Sequence, residues 1–166
     1  TVGNGHDTLF LAQTVHPGGM VIGCDVQEAA ITATRARLAA AGLDGIARLH
    51  LTGHERLAEL VAPEHHGRVA AITFNLGYLP GGDKTLVTRA ETTRAALQAA
   101  ATLLRPGGLL SLLVYVGHPG GAAEHDAVRD WIDRMSAEFS VHAERRDAPG
   151  SPVLYALTRN APNPRR

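Results

Sequence analysis

Short apolar runs alternate with longer helical patterns along this chain. The predicted strands are Met20–Asp25, Ala47–Leu51, Val69–Asn75, Leu109–Val116, Val141–Arg145 and Val153–Thr158. The predicted helices are His6–Val15, Gln27–Ala41, Glu55–Val61, Thr88–Leu104 and Gly121–Phe139. Such alternation predicts an α/β fold with a doubly wound, mostly parallel sheet covered by helices on both faces. The Pro/Gly/Ser turn between the last two strands predicts an antiparallel hairpin that closes the sheet.

The length of 166 residues fits one domain, which we place at 1–159, with a flexible tail at 160–166. The run Leu104-Arg105-Pro106-Gly107-Gly108 is expected to end the long helix and turn the chain into the next strand. At its start the chain is already in a glycine-containing loop, Thr1-Val2-Gly3-Asn4-Gly5. Since a strand normally precedes such a loop, we expect the first strand of the sheet to be missing from this chain.

Composition narrows the classes of protein that fit. No apolar run approaches the roughly 20 residues of a membrane helix, and no signal-type segment is visible. The single cysteine, Cys24, excludes an internal disulfide framework and favours a cytoplasmic location. The net charge of zero lacks the basic excess common in nucleic-acid-binding chains, although a local basic face would be enough to bind RNA.

The segment from Phe74 to Asp83 carries the strongest signal for a site. It follows an apolar strand and supplies Asn75, Tyr78 and Asp83 among glycine and proline residues. In open α/β sheets, ligands bind outside the carboxyl ends of the strands. This connection is longer than the usual two to six residues, so we interpret it as a ligand-binding loop rather than a plain surface loop.

A second loop, Gly3-Asn4-Gly5-His6-Asp7-Thr8, precedes the first predicted helix. Glycine allows close backbone approach, and a helix N-terminus presents unpaired N–H groups. Asp25 ends the next strand about 20 residues after Gly5, the spacing at which a carboxylate accepts the ribose hydroxyls of a nucleoside. Capping of the following helix is the alternative for Asp25. The missing third glycine argues against a pyrophosphate-bound dinucleotide.

Histidines follow two other predicted strands. His54 lies in the loop Thr52-Gly53-His54-Glu55, where it could contact a base, although helix capping by Thr52 explains the loop equally well. His118 lies in Tyr115-Val116-Gly117-His118-Pro119-Gly120-Gly121 and is a candidate base or substrate contact, or a structural turn residue. His50 and His54 lack the spacing of converging zinc ligands, so we predict no metal. Cys24 lies within a strand, which disfavours a covalent cysteine adduct.

Taken together, these motifs resemble the class I S-adenosylmethionine-dependent methyltransferases, which have a Rossmann-like fold. The chain is most similar to the small bacterial family labelled putative rRNA methylases. The resemblance is carried by the runs Gly3–Thr8, Asp25–Gln27, Phe74–Lys84, Glu91–Thr93 and Tyr115–Gly121. Characterised members of that family methylate the aminomethyl group of 5-aminomethyl-2-thiouridine at the tRNA wobble position.

The resemblance implies both a cofactor and a substrate. The implied cofactor is S-adenosylmethionine, with S-adenosylhomocysteine as product, bound by Gly3, Asn4, Gly5, Asp7, Thr8, Asp25, Gln27, His54, Asn75 and Gly77. The implied substrate is RNA, with tRNA first, whose amine attacks the sulfonium methyl group. The candidates for holding that amine are Asn75, Tyr78, Asp83 and His118. No single catalytic base is assigned.

Other functions remain open on the residues alone. The alternatives are a methyltransferase for rRNA or for a small molecule, and a non-catalytic nucleotide-binding module. An NAD-linked oxidoreductase fits less well, because no acid/base pair for hydride chemistry is visible. No membrane partner is expected, and self-association as a homodimer is left open.

Overall fold

The computed structural model describes residues 1–146, 148 and 150–161. Its helices are α1 (His6–Val15), α2 (Glu28–Ala40), α3 (Leu57–Leu60), α4 (Ala90–Leu103) and α5 (Gly121–Arg134). Its strands are β1 (Val21–Asp25), β2 (Ala47–Leu51), β3 (Val69–Leu76), β4 (Leu104–Val114), β5 (Phe139–Arg146) and β6 (Val153–Arg159). Short 3-10 turns lie at Asp44–Ile46, His54–Arg56 and Pro63–His65. The alternation predicted from the sequence is confirmed.

The described strands form two sheets. β1 pairs with β2 in parallel, and a second sheet has the order β3-β4-β6-β5. β3 and β4 are parallel, whereas β6 runs antiparallel to both β4 and β5, so the predicted closing hairpin is confirmed. The first two residues lie between the sheets. The Val2 amide donates to the Cys24 carbonyl, and the Thr1 hydroxyl contacts both the backbone N–H and the carbonyl of Asn75.

Several predicted boundaries were wrong. The last helix ends at Arg134 rather than continuing to Phe139, which is buried, pairs with β6 and packs its ring against Trp131 at a centroid distance of 5.4 Å. The predicted turn at 104–108 belongs to β4, because Leu104 pairs with Val69 before an irregularity in the register. The predicted helix at 55–61 shortens to one α-helical turn after a 3-10 turn. The predicted tail at 160–166 lies outside the described residues from position 162 onward.

The largest core cluster fills the space between the second sheet and helices α4 and α5. Its fully buried members include Leu97 on α4, Leu112 on β4 and Val128 on α5. A smaller cluster packs α1 and α2 against β1 and β2. Within α2, the buried residues are Ala30, Ile31, Thr34 and Leu38, whereas Ala33 is exposed. None of the described helices is long and apolar enough to cross a bilayer.

The core of the second sheet provides a test of the fold. Leu112→Ala should lower the free energy of unfolding by about 2–5 kcal/mol, because it removes buried methyl groups and leaves a cavity. Urea denaturation followed by circular dichroism measures this loss. Leu109→Ala is the matched control on the same strand, since Leu109 is 41% exposed and should cost much less. Equal losses in the two variants would contradict the packing described here.

Candidate active site

A cleft of about 530 Å³ lies at the carboxyl ends of the parallel strands. Loops that follow β1, β2 and β3 supply its walls, together with the loop before α1 and the segment that leads into α4. Its volume lies within the range of roughly 300–1,000 Å³ typical of small-molecule sites. The position agrees with the rule that ligands bind outside the carboxyl ends of strands in α/β sheets.

The glycine-containing loop bends sharply into α1. Gly5 is the N-cap residue of this helix and adopts the left-handed conformation, with φ at 81°. A Cβ atom at this position would lie 2.9 Å from the Thr34 Cα atom, so a side chain would push α1 and α2 apart. Gly3 and Asn4 line the cleft, whereas Gly5 and Thr8 lie behind it. Gly5 and Thr8 therefore determine the conformation of the loop but do not contribute to the surface of the cleft.

Asp25 lies at the end of β1 and faces the cleft. One carboxylate oxygen accepts the Gly3 amide at 3.1 Å, and the other accepts the Gln27 amide at 3.0 Å. A carboxylate offers about four lone-pair sites, so two remain for a ligand. Asp25 therefore orders the glycine loop and keeps free acceptors directed at the site. Its contact with the Gln27 amide, the N-cap residue of α2, and its predicted ligand contact are compatible with each other.

Gln27 joins the loop after β3 to the first sheet. Its side-chain oxygen accepts the Asp83 amide at 3.2 Å, and its side-chain nitrogen donates to the Asp83 carbonyl at 3.4 Å. The Asn4 side chain also donates to the Pro80 carbonyl at 3.1 Å. The long loop after β3 is thus held against the glycine loop by side-chain amides that bind its backbone.

Asn75 lies at the end of β3 in direct contact with Asp7. Its side-chain nitrogen donates to an Asp7 carboxylate oxygen at 2.7 Å. Both residues line the cleft, and Asp7 is in the first turn of α1. A hydrogen bond to a carboxylate is shorter and stronger than one between neutral groups, so Asp7 fixes the orientation of the Asn75 amide. The Asn75 side-chain oxygen is thereby left to accept a hydrogen bond from a ligand.

His54 is buried at the inner end of the cleft. Its ring lies edge-on to Phe74 at 5.9 Å, and its Nε2 atom lies 3.3 Å from the Thr93 hydroxyl. Burial lowers the pKa of His54 to about 4, because the charged imidazolium loses its hydration. The ring is therefore neutral near pH 7, so it can form a hydrogen bond with a ligand without carrying charge.

The lowered pKa of His54 predicts how stability depends on pH. Above the unfolded-state pKa of about 6.5 the ring is neutral in both states. As the pH falls toward 4, the unfolded chain binds a proton that the folded protein does not, so stability is lost over this window. The loss reaches up to about 3 kcal/mol. His54→Gln should abolish this part of the pH dependence, measured by urea denaturation between pH 7 and 4.

The control for this experiment is His65→Gln, because His65 is exposed in a 3-10 turn away from the cleft. The free energy of unfolding of this variant should depend on pH as it does in the wild-type protein. An identical slope for His54→Gln and the wild type would show that the His54 ring is not buried in its neutral form.

The outer wall of the cleft carries an exposed aromatic ring. Tyr78 is 39% exposed, and the Lys84 ammonium lies 5.8 Å from its ring centroid. Asp83, from the same loop, does not line the cleft. Its carboxylate accepts hydrogen bonds from the Thr85 amide and hydroxyl, and these bonds lower its pKa. In this arrangement Asp83 orders the loop, and its role in holding the amine stays a prediction.

His118 lies behind the cleft wall. Only 3% of its side chain is exposed, and its Nδ1 atom lies 3.0 Å from the Pro119 carbonyl. Its ring meets Tyr78 edge-on at a centroid distance of 6.3 Å. His118 reaches the site through Tyr78, and its role as a direct substrate contact stays a prediction.

One buried residue was missed by the sequence analysis. Glu124 on α5 is fully buried and accepts hydrogen bonds from the hydroxyls of Thr88 and Thr93. It precedes Val128 and Trp131 by four and seven residues on the apolar face of the same helix. A charged residue on the apolar face of a helix indicates a buried polar contact, so the sequence did contain evidence for the burial of Glu124.

Most predicted site residues come together in this structure. Those that line the cleft are Gly3, Asn4, Asp7, Asp25, Gln27, His54, Asn75, Gly77 and Tyr78. Cys24 is buried, and burial raises the pKa of its thiol, which agrees with an inert side chain. No group of three or more His, Cys, Asp or Glu residues is arranged to hold a metal ion within the described part of the chain.

Solved structures define the class to which this fold and cleft belong. One, described as a putative rRNA-methylase from Clostridium thermocellum, superposes with a TM-score of 0.88 at 34% identity, over 96% of this chain and 85% of that one. A putative methyltransferase from Streptococcus mutans, in complex with SAH, gives a TM-score of 0.81 at 30% identity, with the same coverage. The fold is that of the class I Rossmann-like methyltransferases.

The family follows from the sequence match. The model of the family described as "Putative rRNA methylase" matches residues 21–150, so this chain belongs to that family. A curated relative from Arabidopsis thaliana, the chloroplastic tRNA (mnm(5)s(2)U34)-methyltransferase, is 43% identical over 80% of this chain. The chain spans 54% of the length of that relative. The resemblance inferred from the motifs is confirmed.

Proposed function

We propose that this chain is an S-adenosylmethionine-dependent RNA methyltransferase that N-methylates the aminomethyl group of 5-aminomethyl-2-thiouridine at the tRNA wobble position. The observation that carries the proposal is the convergence of the Gly3 loop, Asp25 and the Asn75–Asp7 pair on one cleft. The name of the Arabidopsis relative supports the substrate, and the Streptococcus structure with SAH supports the cofactor.

The residues at the inner part of the cleft suit an adenosine-containing cofactor. Asp25 keeps free acceptor sites that match two ribose hydroxyls, and Gly3 exposes backbone beside it. His54 is a neutral donor or acceptor at the inner end of the same cleft. When bound, S-adenosylmethionine supplies an electrophilic methyl group on a sulfonium centre. We assign Gly3, Asp25, Gln27 and His54 to holding it.

The residues on the outer side suit an amine. The amine must be neutral to attack, and the Asn75 side-chain oxygen can accept one of its N–H groups because Asp7 holds the amide nitrogen. The proton lost on methylation can pass to Asp7 or to water. Methyl transfer depends mainly on positioning and on the exclusion of water, so fixing one N–H directs the nitrogen lone pair toward the methyl group.

The rim of the cleft favours RNA over a small molecule. Tyr78 and Tyr115 are both more than a third exposed beside it, and aromatic side chains stack on unpaired bases. Arg89 lines the cleft, and the Lys84 ammonium lies over the Tyr78 ring. These two cationic side chains can contact phosphates next to the modified nucleotide.

Labelled S-adenosylmethionine tests the proposal. The protein is incubated with bulk tRNA from a strain that lacks the endogenous activity, and the tRNA is then digested to nucleosides. Label in 5-methylaminomethyl-2-thiouridine is the expected result. Parallel reactions contain rRNA and tRNA that already carries the methyl group. Label in rRNA alone, or no label in RNA while S-adenosylhomocysteine binds, would contradict the proposed substrate.

A further inference from the structure

We propose that Glu124 is a positioning residue for methyl transfer, whose buried carboxylate fixes the substrate wall of the cleft at Gly77 and Tyr78. This inference rests on the proposed function. Glu124 is 0% exposed and lies on α5, outside the residues that line the cleft. A fully buried carboxylate is costly unless its oxygens are hydrogen-bonded or paired with a cation. Its partners therefore indicate what it stabilises.

The first partner is the segment that leads into α4. The Thr88 hydroxyl donates to Glu124 Oε2 at 2.7 Å. The Thr88 backbone amide donates to the Gly77 carbonyl at 2.9 Å, and the preceding residue, Val87, forms a β-bridge with Tyr78. Glu124 therefore holds Thr88, and Thr88 holds the backbone of the Gly77–Tyr78 wall.

The second partner, His118, contacts the same wall through the Tyr78 ring. His118 Nε2 lies 3.9 Å from Glu124 Oε2 and has no hydrogen-bond partner among the described residues. The His118 ring packs edge-on against Tyr78. Within the described chain, no lysine or arginine forms an ion pair with Glu124, so His118 is its basic neighbour. Two contacts of one carboxylate thus meet at Tyr78.

A third partner connects this carboxylate to the inner part of the cleft. The Thr93 hydroxyl donates to Glu124 Oε1 at 2.5 Å, and His54 Nε2 lies 3.3 Å from the same hydroxyl. The inner and outer parts of the cleft are therefore joined through one buried group. Hydrogen bonds to a buried carboxylate are strong and directional, which suits a group that must set the geometry of two loops.

Glu124→Gln tests this role, because it keeps the size of the side chain and removes the charge and one acceptor oxygen. We expect kcat/KM for tRNA to fall roughly 10- to 100-fold, since small displacements of positioning groups have effects of that size. The Kd for S-adenosylhomocysteine, measured by calorimetry, should rise by a much smaller factor, because Glu124 is linked to His54 through the Thr93 hydroxyl. Thermal unfolding reports on folding. Asp126→Asn, an exposed acid on the same helix, is the matched control.

Two further measurements keep the inference falsifiable. Amide hydrogen exchange at residues 77–89 should rise in Glu124→Gln while exchange in the β4 core is unchanged. Thr88→Val removes one of the hydrogen bonds and is the second variant if Glu124→Gln does not fold. Unchanged kcat/KM and exchange, or a loss of activity that only follows a loss of folding or of cofactor affinity, would overturn the role of Glu124.

The wild-type reaction separates this inference from the proposed function. If wild-type protein transfers no methyl group to tRNA, the proposed function fails whatever the variants do. Hydrogen exchange then decides whether Glu124 fixes the wall at Gly77 and Tyr78. If the wild type is active and Glu124→Gln is equally active, only the inference about Glu124 fails.

Discussion

Asp25→Ala is expected to weaken binding of S-adenosylhomocysteine by a factor on the order of 100 or more. The variant removes the acceptor proposed for two ribose hydroxyls, and each such hydrogen bond to a charged acceptor contributes about 1.5–3 kcal/mol. It would also release the amides of Gly3 and Gln27, which the Asp25 carboxylate holds in the free protein. Isothermal titration calorimetry with the purified variant measures the change.

The comparison variants for this experiment are Asp25→Asn and Asp44→Ala. Asp25→Asn keeps one acceptor oxygen and should have an intermediate affinity. Asp44 is an exposed acid in a 3-10 turn away from the cleft, so its removal should leave the Kd unchanged. Wild-type affinity in Asp25→Ala would refute the assignment of this carboxylate to the ribose.

Asn75→Ala is expected to lower the rate of methyl transfer by roughly 100-fold, the scale on which a misplaced reacting group acts, while cofactor binding is retained. The variant removes the amide that Asp7 holds at 2.7 Å, and with it the acceptor that we propose for orienting the amine. Single-turnover transfer to tRNA measures the rate, and calorimetry with S-adenosylhomocysteine measures the affinity.

Gln98→Ala is the matched control, because Gln98 is an exposed carboxamide on α4. It should change neither quantity. A parallel loss of rate and cofactor affinity in Asn75→Ala would make Asn75 a cofactor residue and leave the amine without its assigned contact.

The helices and strands of this fold could be predicted from local sequence patterns wherever secondary-structure propensity and tertiary packing favour the same conformation. The bounds of α1 and β2 match the prediction, and β3 differs by one residue. The predicted bounds were wrong where a tertiary contact determines the secondary structure of a residue. Phe139 continues the apolar helical spacing of α5, yet it leaves the helix to pair with β6 and pack on Trp131. Leu104 follows a helix and precedes Pro106, yet it pairs with Val69.

Part of the candidate site could also be predicted from the sequence, and part of it could not. Asp25 and Asn75 were predicted because each stands at the end of a strand, and the carboxyl ends of parallel strands lie at one edge of the fold. The contacts between segments could not be read from sequence. Asp7 and Asn75 are 68 residues apart, and Glu124 lies 36 residues from Thr88. Only the packing of α1 and α5 against the sheets defines these pairs.

The way in which the loop after β3 is anchored has a consequence for how specificity can evolve. The side chains of Gln27 and Asn4 form hydrogen bonds with the backbone of this loop at Asp83 and Pro80. Neither contact depends on the side chain at position 83 or 80. Substitutions that alter the exposed side chain at Lys84 therefore need not disturb how the loop is held. A lineage could change the chemistry presented to its substrate while the scaffold beneath stays the same.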